Sequence, residues 1–375
     1  MSAPPRRRGV ARVLDPRVLV GLAITALTLW YSFRDVSFSV LLRDMARANL
    51  AWLILPSVPA YVWSIYVRAL RWRHLAAGVA EIGRAPLFRA TAVGFMANNI
   101  FPLRIGEVVR AWYLARECAA SGTALFGTVI VERLLDAGFV LGLAVFVLGA
   151  QGARAAGLDP VTVLMPLAVL VALPVAFIVG LRAAPARALG LARRVAGALL
   201  PEAAAHGLVQ ALEQLSAGLG GLRGARAIGW ALFHTAVIWL VCSVIPFAAA
   251  LMAMGIDLGG PAGIVRASLS ILVWVGAAVA LPSAPGFFGP YHAACWVALR
   301  PYGLDKGTAV ALGTLSHAVF WVTLTALGLA VLRFRGTALD ETLASADSGE
   351  APAADFAPDG AGAEGPAAPE EASPR

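Results

Sequence analysis

The sequence predicts an all-α polytopic membrane protein with an inverted-topology repeat, about six full spans and two re-entrant helical hairpins, or eight spans. Three observations carry that prediction. The 375 residues are 59% hydrophobic and 14% charged, with a mean hydropathy of +0.76, whereas water-soluble domains hold about 25% charged residues. Arginines sit at the ends of apolar runs, mostly on one side of the membrane path the runs define. Two of the runs are broken near their middle by proline, glycine or asparagine. The formal charge of +8 is itself divided, because residues 336 to 375 hold nine acids against Arg375 and leave +16 on the body. A nucleic-acid surface would gather its arginines into one patch with aromatics; these flank apolar runs instead, so no nucleic-acid partner is expected.

The elements follow in order. Residues 1–17 form a basic cytoplasmic N-terminus with Arg6, Arg7, Arg8, Arg12 and Arg17. The run Val18 to Phe33 ends in Trp30, Tyr31 and Phe33 without a small-residue cleavage site, which reads as an uncleaved span anchored by interfacial aromatics. Leu50 to Val67 returns the chain, and Arg68, Arg71 and Arg73 read as its cytoplasmic end. Residues 85 to 117 are two apolar arms around Asn98-Asn99-Ile100-Phe101-Pro102-Leu103-Arg104-Ile105-Gly106-Glu107. Each arm of about 13 residues covers ~20 Å, short of the ~30 Å hydrocarbon core, so the first re-entrant hairpin is placed here.

Gly122 to Ala150 and Val161 to Leu181 are full spans, the latter closed by Arg182, Arg187, Arg193 and Arg194. Residues 186–225 read as a cytoplasmic interfacial amphipathic segment, because leucines at 208, 212, 215, 219 and 222 fall on one helical stripe. Ile228 to Met252 spans outward. Ile264 to Leu281 and a short arm to Ala298 flank the second break, Pro282-Ser283-Ala284-Pro285-Gly286-Phe287-Phe288-Gly289-Pro290, and Thr308 to Leu332 closes on Arg333 and Arg335. On this path eighteen basic residues lie at cytoplasmic ends and six outside, which orients both termini to the cytoplasm of a multi-pass plasma-membrane protein. The Ala-, Pro-, Gly- and acid-rich tail, 336–375, has one aromatic and is expected to be disordered.

The halves, about 18–150 and 160–335, share an order of span, span, broken hairpin, span. Both breaks contain Pro-x-x-x-Gly (Pro102 to Gly106, Pro285 to Gly289), and each following span opens with Gly-Thr, at Gly127-Thr128 and Gly313-Thr314. Three spans invert the chain, so the second hairpin would enter from the opposite face, an arrangement of many secondary transporters.

Unpaired backbone is costly in lipid, so two breaks at membrane depth imply a polar site between them. Helices starting at a break aim their N-termini into it, which favours anions, and Arg104 and Arg110 add planar donors matched to phosphate or carboxylate. Glu107 lies three residues from each. Glu132, Arg133 and Asp136 form a second charged set, in which Glu132 and Asp136 share a face and call for an arginine between them. Two readings stay open: a headgroup-binding site made of Arg104, Glu107, Arg110, Glu132, Arg133 and Asp136, or a structural ion-pair network that holds the hairpin. Asn99, Pro102, Gly106, Pro285, Gly286 and Gly289 shape the breaks. His292 and His317 are candidate proton relays, although a buried histidine more often holds a neighbour. Cys118, Cys242 and Cys295 have no paired spacing; no disulfide, metal, cofactor or nucleotide motif is expected.

The string Asn99-x-x-Pro102-Leu103-Arg104-Ile105-Gly106-Glu107-x-x-Arg110, the later Glu132-Arg133-x-x-Asp136 and the break Pro285-Gly286-Phe287-Phe288-Gly289 resemble the lysylphosphatidylglycerol synthase transmembrane-region family, over roughly residues 18 to 335. The resemblance implies a flippase-like membrane unit that moves lipids such as aminoacylated phosphatidylglycerol between leaflets; related units accompany polyprenyl-linked glycan assembly. Bifunctional members append a soluble transferase domain, whereas a 40-residue acidic tail follows here, so synthase activity is not carried over and a non-enzyme is expected. Many members have a glutamate where this sequence has His292. The expected ligand is a membrane lipid with an anionic or polyprenyl-linked headgroup. A lipid-modifying transferase is the rival reading. A regulator of envelope lipid or glycan assembly, using the amphipathic segment or acidic tail to bind a protein partner, is the other.

Overall fold

The computed structural model of the chain describes residues 16–101, 104–156, 184–199, 201–218, 224–280 and 283–335, and all regular structure among them is helical. The helices are α1 (Pro16–Phe33), α2 (Phe38–Arg47), α3 (Leu50–Ala76), α4 (Arg84–Ile100), α5 (Gly106–Cys118), α6 (Gly122–Ala156), α7 (Pro185–Leu199) and α8 (Glu202–Gly218). They continue with α9 (Gly224–Ala236), α10 (Val244–Ala253), α11 (Pro261–Ala280), α12 (Pro290–Leu299) and α13 (Lys306–Arg335). A π-helical turn, Val237–Cys242, joins α9 to α10. Among the described residues four helices are long and apolar enough to cross a membrane: Leu50–Ala76, Arg226–Ala253, Pro261–Val279 and Lys306–Arg335. α1 and α2, bent by 83°, make a fifth if taken together. The chain is a membrane protein. The expected span Val161 to Leu181, the basic N-terminus and the acidic tail lie outside the described residues.

Several elements differ from the sequence reading: α6 runs past Ala150 to Ala156, and the span Ile228 to Met252 is divided between α9, the π-helical turn and α10. α2 is an additional helix. α3 continues nine residues past Val67, to Ala76, because Arg68 and Arg71, two of the three arginines taken for its end, are buried in the bundle. Its start is set by Asn49, whose Oδ1 accepts from the Ala51 and Trp52 amides at 3.1 and 3.3 Å. Pro56 and Pro59 lie inside it, a placement that membrane helices tolerate when neighbours pack around them.

Two hydrophobic cores occupy opposite ends of the bundle. The first joins Trp72 and Leu75 of α3, Leu87 of α4, Leu114 of α5, Leu125 of α6, Ala231 of α9 and Leu332 of α13. The second joins Leu53 of α3, Phe247 and Leu251 of α10, Ile271 of α11, Leu299 of α12 and Leu312 of α13. α3 and α13 therefore run from the second core to the first, with Arg73, Arg333 and Arg335 emerging at the first. The pairs α4–α5 and α11–α12 pack on different cores. α4 and α5 leave the first core as an antiparallel pair, tied by an ion pair between Arg89 and Glu117 at their outer ends; α11 and α12 leave the second, with the Ser270 hydroxyl donating to the Ala298 carbonyl at 3.0 Å. Both pairs turn beside the middle of α13, a helix of ~45 Å: Asn99 meets Trp321 and Thr325, and Gly286 meets His317.

α13 begins at Asp305, whose carboxylate accepts from the Thr308 hydroxyl at 2.6 Å and the Thr308 amide at 3.0 Å. Partial burial opposes the ionised form, but these hydrogen bonds outweigh it and hold the carboxyl below its ordinary range. With the folded value depressed, the stabilisation is complete above the ordinary aspartate pKa of ~3.9 and disappears as pH falls through the lower folded value. Asp305→Ala is expected to lower stability by about 0.5–1 kcal/mol at neutral pH and to be silent in strong acid. Detergent melts at the two pH values check this, and an equal loss at both would refute the capping role.

Candidate functional site

The first break is organised by two consecutive asparagines that face different ways. Asn98 Oδ1 accepts from the Gly106 amide at 2.9 Å, occupying a free donor at the start of α5, and Asn98 Nδ2 donates to Glu107 Oε1 at 3.4 Å. Asn99 Nδ2 donates to Thr325 Oγ1 at 3.1 Å, while the Trp321 indole donates to the Asn99 carbonyl at 3.3 Å. Gly106 is required because the α4 backbone passes directly over it: a Cβ there would overlap the Gly94 carbonyl and lie 2.6 Å from Asn98 Oδ1. Between these anchors Arg104 adopts a left-handed backbone conformation, φ 54°, a strained state for a residue with a side chain. Its guanidinium crosses to the other hairpin, donating to the Val279 carbonyl at the end of α11 at 3.0 Å and lying 5.8 Å from the Phe287 ring. Pro102 lies outside the described residues.

Behind this tip four arginines and three carboxylates are locked together. Glu107 and Arg110 of α5, Glu132, Arg133 and Asp136 of α6, and Arg68 and Arg71 of α3 make one network. Arg71 is fully buried and clamps Asp136 at 2.6 and 3.1 Å, reaches Glu132 at 3.0 Å and donates to Thr235 Oγ1 of α9 at 2.8 Å. Arg68 meets Asp136 at 3.3 Å. Arg110 pairs with Glu107 and Glu132, each at 3.1 Å, under the Trp72 ring at 4.9 Å. Arg133 pairs with Glu132 at 2.7 Å and Asp136 at 3.1 Å, and approaches Glu107 at 3.6 Å. The Trp239 indole, on the π-helical turn, donates to Asp136 Oδ1 at 2.9 Å. Buried charges persist only when paired and hydrogen-bonded. Only the Arg133 and Glu107 side chains reach the edge of this set, at 28% and 16% exposure.

At the second break Gly286, Phe287 and Gly289 have φ of 73°, 62° and 90°. Gly289 lies against α1, where a Cβ would press on the Thr25 carbonyl and Thr28 hydroxyl, and Thr25 Oγ1 accepts from the Ala284 amide at 2.8 Å. His317 Nε2 donates to the Gly286 carbonyl at 2.7 Å, which fixes its proton on that nitrogen. His292 is buried with its ring 5.4 Å from that of His317, and among the described residues its Nδ1 has no hydrogen-bond partner. Pro285 opens the short 3-10 turn Pro285–Phe287, which precedes α12. Phe288 packs on both histidines. Among the described residues no group of three or more His, Cys, Asp or Glu side chains is placed to hold a metal ion. A groove of about 360 Å³ beside Arg193, Glu202 and His206 lies on the α7–α8 pair, apart from all these residues.

A family model described as "Lysylphosphatidylglycerol synthase TM region" matches residues 18–328. The chain belongs to the lysylphosphatidylglycerol synthase TM region family. A curated relative, Glycosyltransferase AglD of Haloferax volcanii, is 27% identical over 329 residues, covering 80% of this chain and 52% of that protein. The chain thus spans about half the length of that relative. No solved structure matches.

In this member of the lysylphosphatidylglycerol synthase TM region family, five of the six charged residues singled out from sequence converge: Glu107, Arg110, Glu132, Arg133 and Asp136. Arg104 stands apart and bridges the two breaks. Arg68 and Arg71 were missed as members of the network, since arginines closing an apolar run read as topology markers. A signal was present in Arg68-x-x-Arg71-Trp72, which puts two arginines and an aromatic within one turn and a half of a continuing helix. Thr235 and Trp239 carried no signal, being ordinary residues of an apolar span.

Proposed function

We propose that the chain is a lipid translocase of the plasma membrane, holding an anionic lipid headgroup between two inverted repeats and passing it between leaflets. The observation that carries this reading is Arg104. Among the described residues every arginine of the network pairs with a carboxylate, while Arg104 meets a neutral carbonyl and an aromatic face at the junction of the two breaks. A headgroup phosphate is a stronger acceptor than that carbonyl, and Arg133, at the edge of the network, supplies a second donor. Arg110 is enclosed by Glu107, Glu132 and Trp72, so its role in this reading is to position the hairpin. Hairpins entering from opposite ends offer the tip to one leaflet and then the other, while the acyl tails stay in lipid. Both termini lie in the cytoplasm on this reading, and the protein is not an enzyme.

The second reading, a lipid-modifying transferase, is supported by the printed name of the Haloferax relative. Glu107, Glu132 and Asp136 are each engaged by two or more arginines, an arrangement that suits charge neutralisation better than proton abstraction.

Purified protein in liposomes, with fluorescent phosphatidylglycerol as the probe, tests the proposal. Arg104→Gln is expected to slow leaflet exchange about 10–100-fold, in proportion to the ~1.5–3 kcal/mol of a charged hydrogen bond, with the melting temperature retained and Arg104→Lys intermediate. Exchange equal to the parent's would remove Arg104 from the site. A covalently altered lipid would favour the transferase.

A further inference from the structure

The leucine stripe of residues 208 to 222 carried the sequence-based assignment of membrane contact, but Leu212 of α8 packs inward on the first core and Val209 is buried. The outward face belongs to α7. Its Ala192 and Ala196 are buried, and Ala188 and Leu189 pack on that core. Leu191 and Val195 are 59% and 49% exposed. At about 100° per residue, Arg194, Arg187, Ala198, Leu191 and Val195 fall in that order within an arc of about 100°, with Leu189 and Ala196 on the far side of the helix. Arg193, outside this arc, is spent on Glu213 of α8 at 2.5 Å and ties the two helices together. Arg187 and Arg194 are exposed beside the two apolar side chains.

We infer that this face of α7 lies on the bilayer surface and binds anionic lipid headgroups through Arg187 and Arg194, with Leu191 and Val195 inserted between the acyl chains. Its level in the bundle supports that occupant. The core on which α7 packs gathers the ends of α3, α5 and α13 and the beginnings of α4 and α6, so α7 lies where membrane-crossing helices begin and end. A narrow apolar stripe edged by arginine matches the interface between headgroups and acyl chains. The inference does not depend on what the charged network binds.

Spin labels at Leu191→Cys, Val195→Cys and Arg193→Cys, each in a Cys118→Ala background where Cys242 and Cys295 are buried, read the placement directly. In vesicles of phosphatidylcholine with phosphatidylglycerol, labels at 191 and 195 are expected to collide more with oxygen, and the label at 193 more with a water-soluble nickel chelate. Omitting phosphatidylglycerol, or adding Arg187→Gln with Arg194→Gln, is expected to shift the 195 label towards the nickel reagent, by about fivefold per arginine removed. Nickel access at 191 and 195 in the mixed vesicles would overturn the inference. So would indifference to phosphatidylglycerol and to both arginines, or dipolar broadening between labels on two copies, which would make the face a contact between chains.

Discussion

Arg71→Met is expected to destabilise the protein by about 3–5 kcal/mol, the cost of removing one partner from a buried ion pair. The substitution keeps most of the side-chain volume, so packing is nearly conserved. What is lost is the clamp on Asp136, the contact to Glu132 and the hydrogen bond to Thr235, leaving two carboxylates with one fewer cation between them. Thermal unfolding of the detergent-solubilised protein, followed by tryptophan fluorescence, measures the loss. Arg71→Met with Asp136→Leu is expected to recover less than half of it, because Asp136 is also the carboxylate partner of buried Arg68 and of Arg133, and the double variant leaves Arg68 without one. Arg73→Met, two residues on and exposed, is expected to stay within about 0.5 kcal/mol of the parent. If Arg71→Met melts with Arg73→Met, the network does not hold the bundle.

Gly106→Ala is expected to cost about 3 kcal/mol, at the upper end for overpacking a close contact, because the added methyl meets backbone on one side and Asn98 on the other. The start of α5 must move away from α4. The Gly106 amide then loses Asn98, and Arg110, one turn on, is drawn off Glu132 and Trp72. Gly94→Ala strikes the same contact from the opposite helix, with Arg110 Cβ 2.7 Å from the new methyl. The two substitutions are expected to combine to less than their sum, as neighbours sharing one displacement do. Gly138→Ala, with nothing within 4 Å, is expected to stabilise α6 by up to about 1 kcal/mol. A melting temperature for Gly106→Ala equal to the parent's would show that the hairpin has slack at its tip.

Much of the helical layout was legible because lipid imposes long apolar runs, and those are the strongest pattern a sequence carries. The broken pairs were legible for the same reason, polar residues standing out against such runs. Boundaries set by charge were harder. Arg68 looked like the end of α3 because a solvated arginine and a buried one are the same letter, and only the facing Asp136 makes the difference. The same gap separates Arg104 from Arg110: both lie beside the break, and the left-handed turn at Arg104 that sends one outward to Val279 is a property of backbone. Of the leucine stripe, Leu219 and Leu222 lie outside the described residues, and periodicity cannot tell which surface a stripe meets: Leu212 met protein.

The union of α3 with α6 also constrains how the chain is made. Arg71 is synthesised 65 residues before Asp136 and 164 before Thr235. At ~5–20 residues per second, Asp136 follows Arg71 by about 3–13 s, and during that interval each arginine held in lipid without a partner costs ~3 kcal/mol. α3 therefore carries that cost when it emerges. The acids of α6 remove that cost only once they arrive, so the order in which the helices are made and the order in which their charges are satisfied differ.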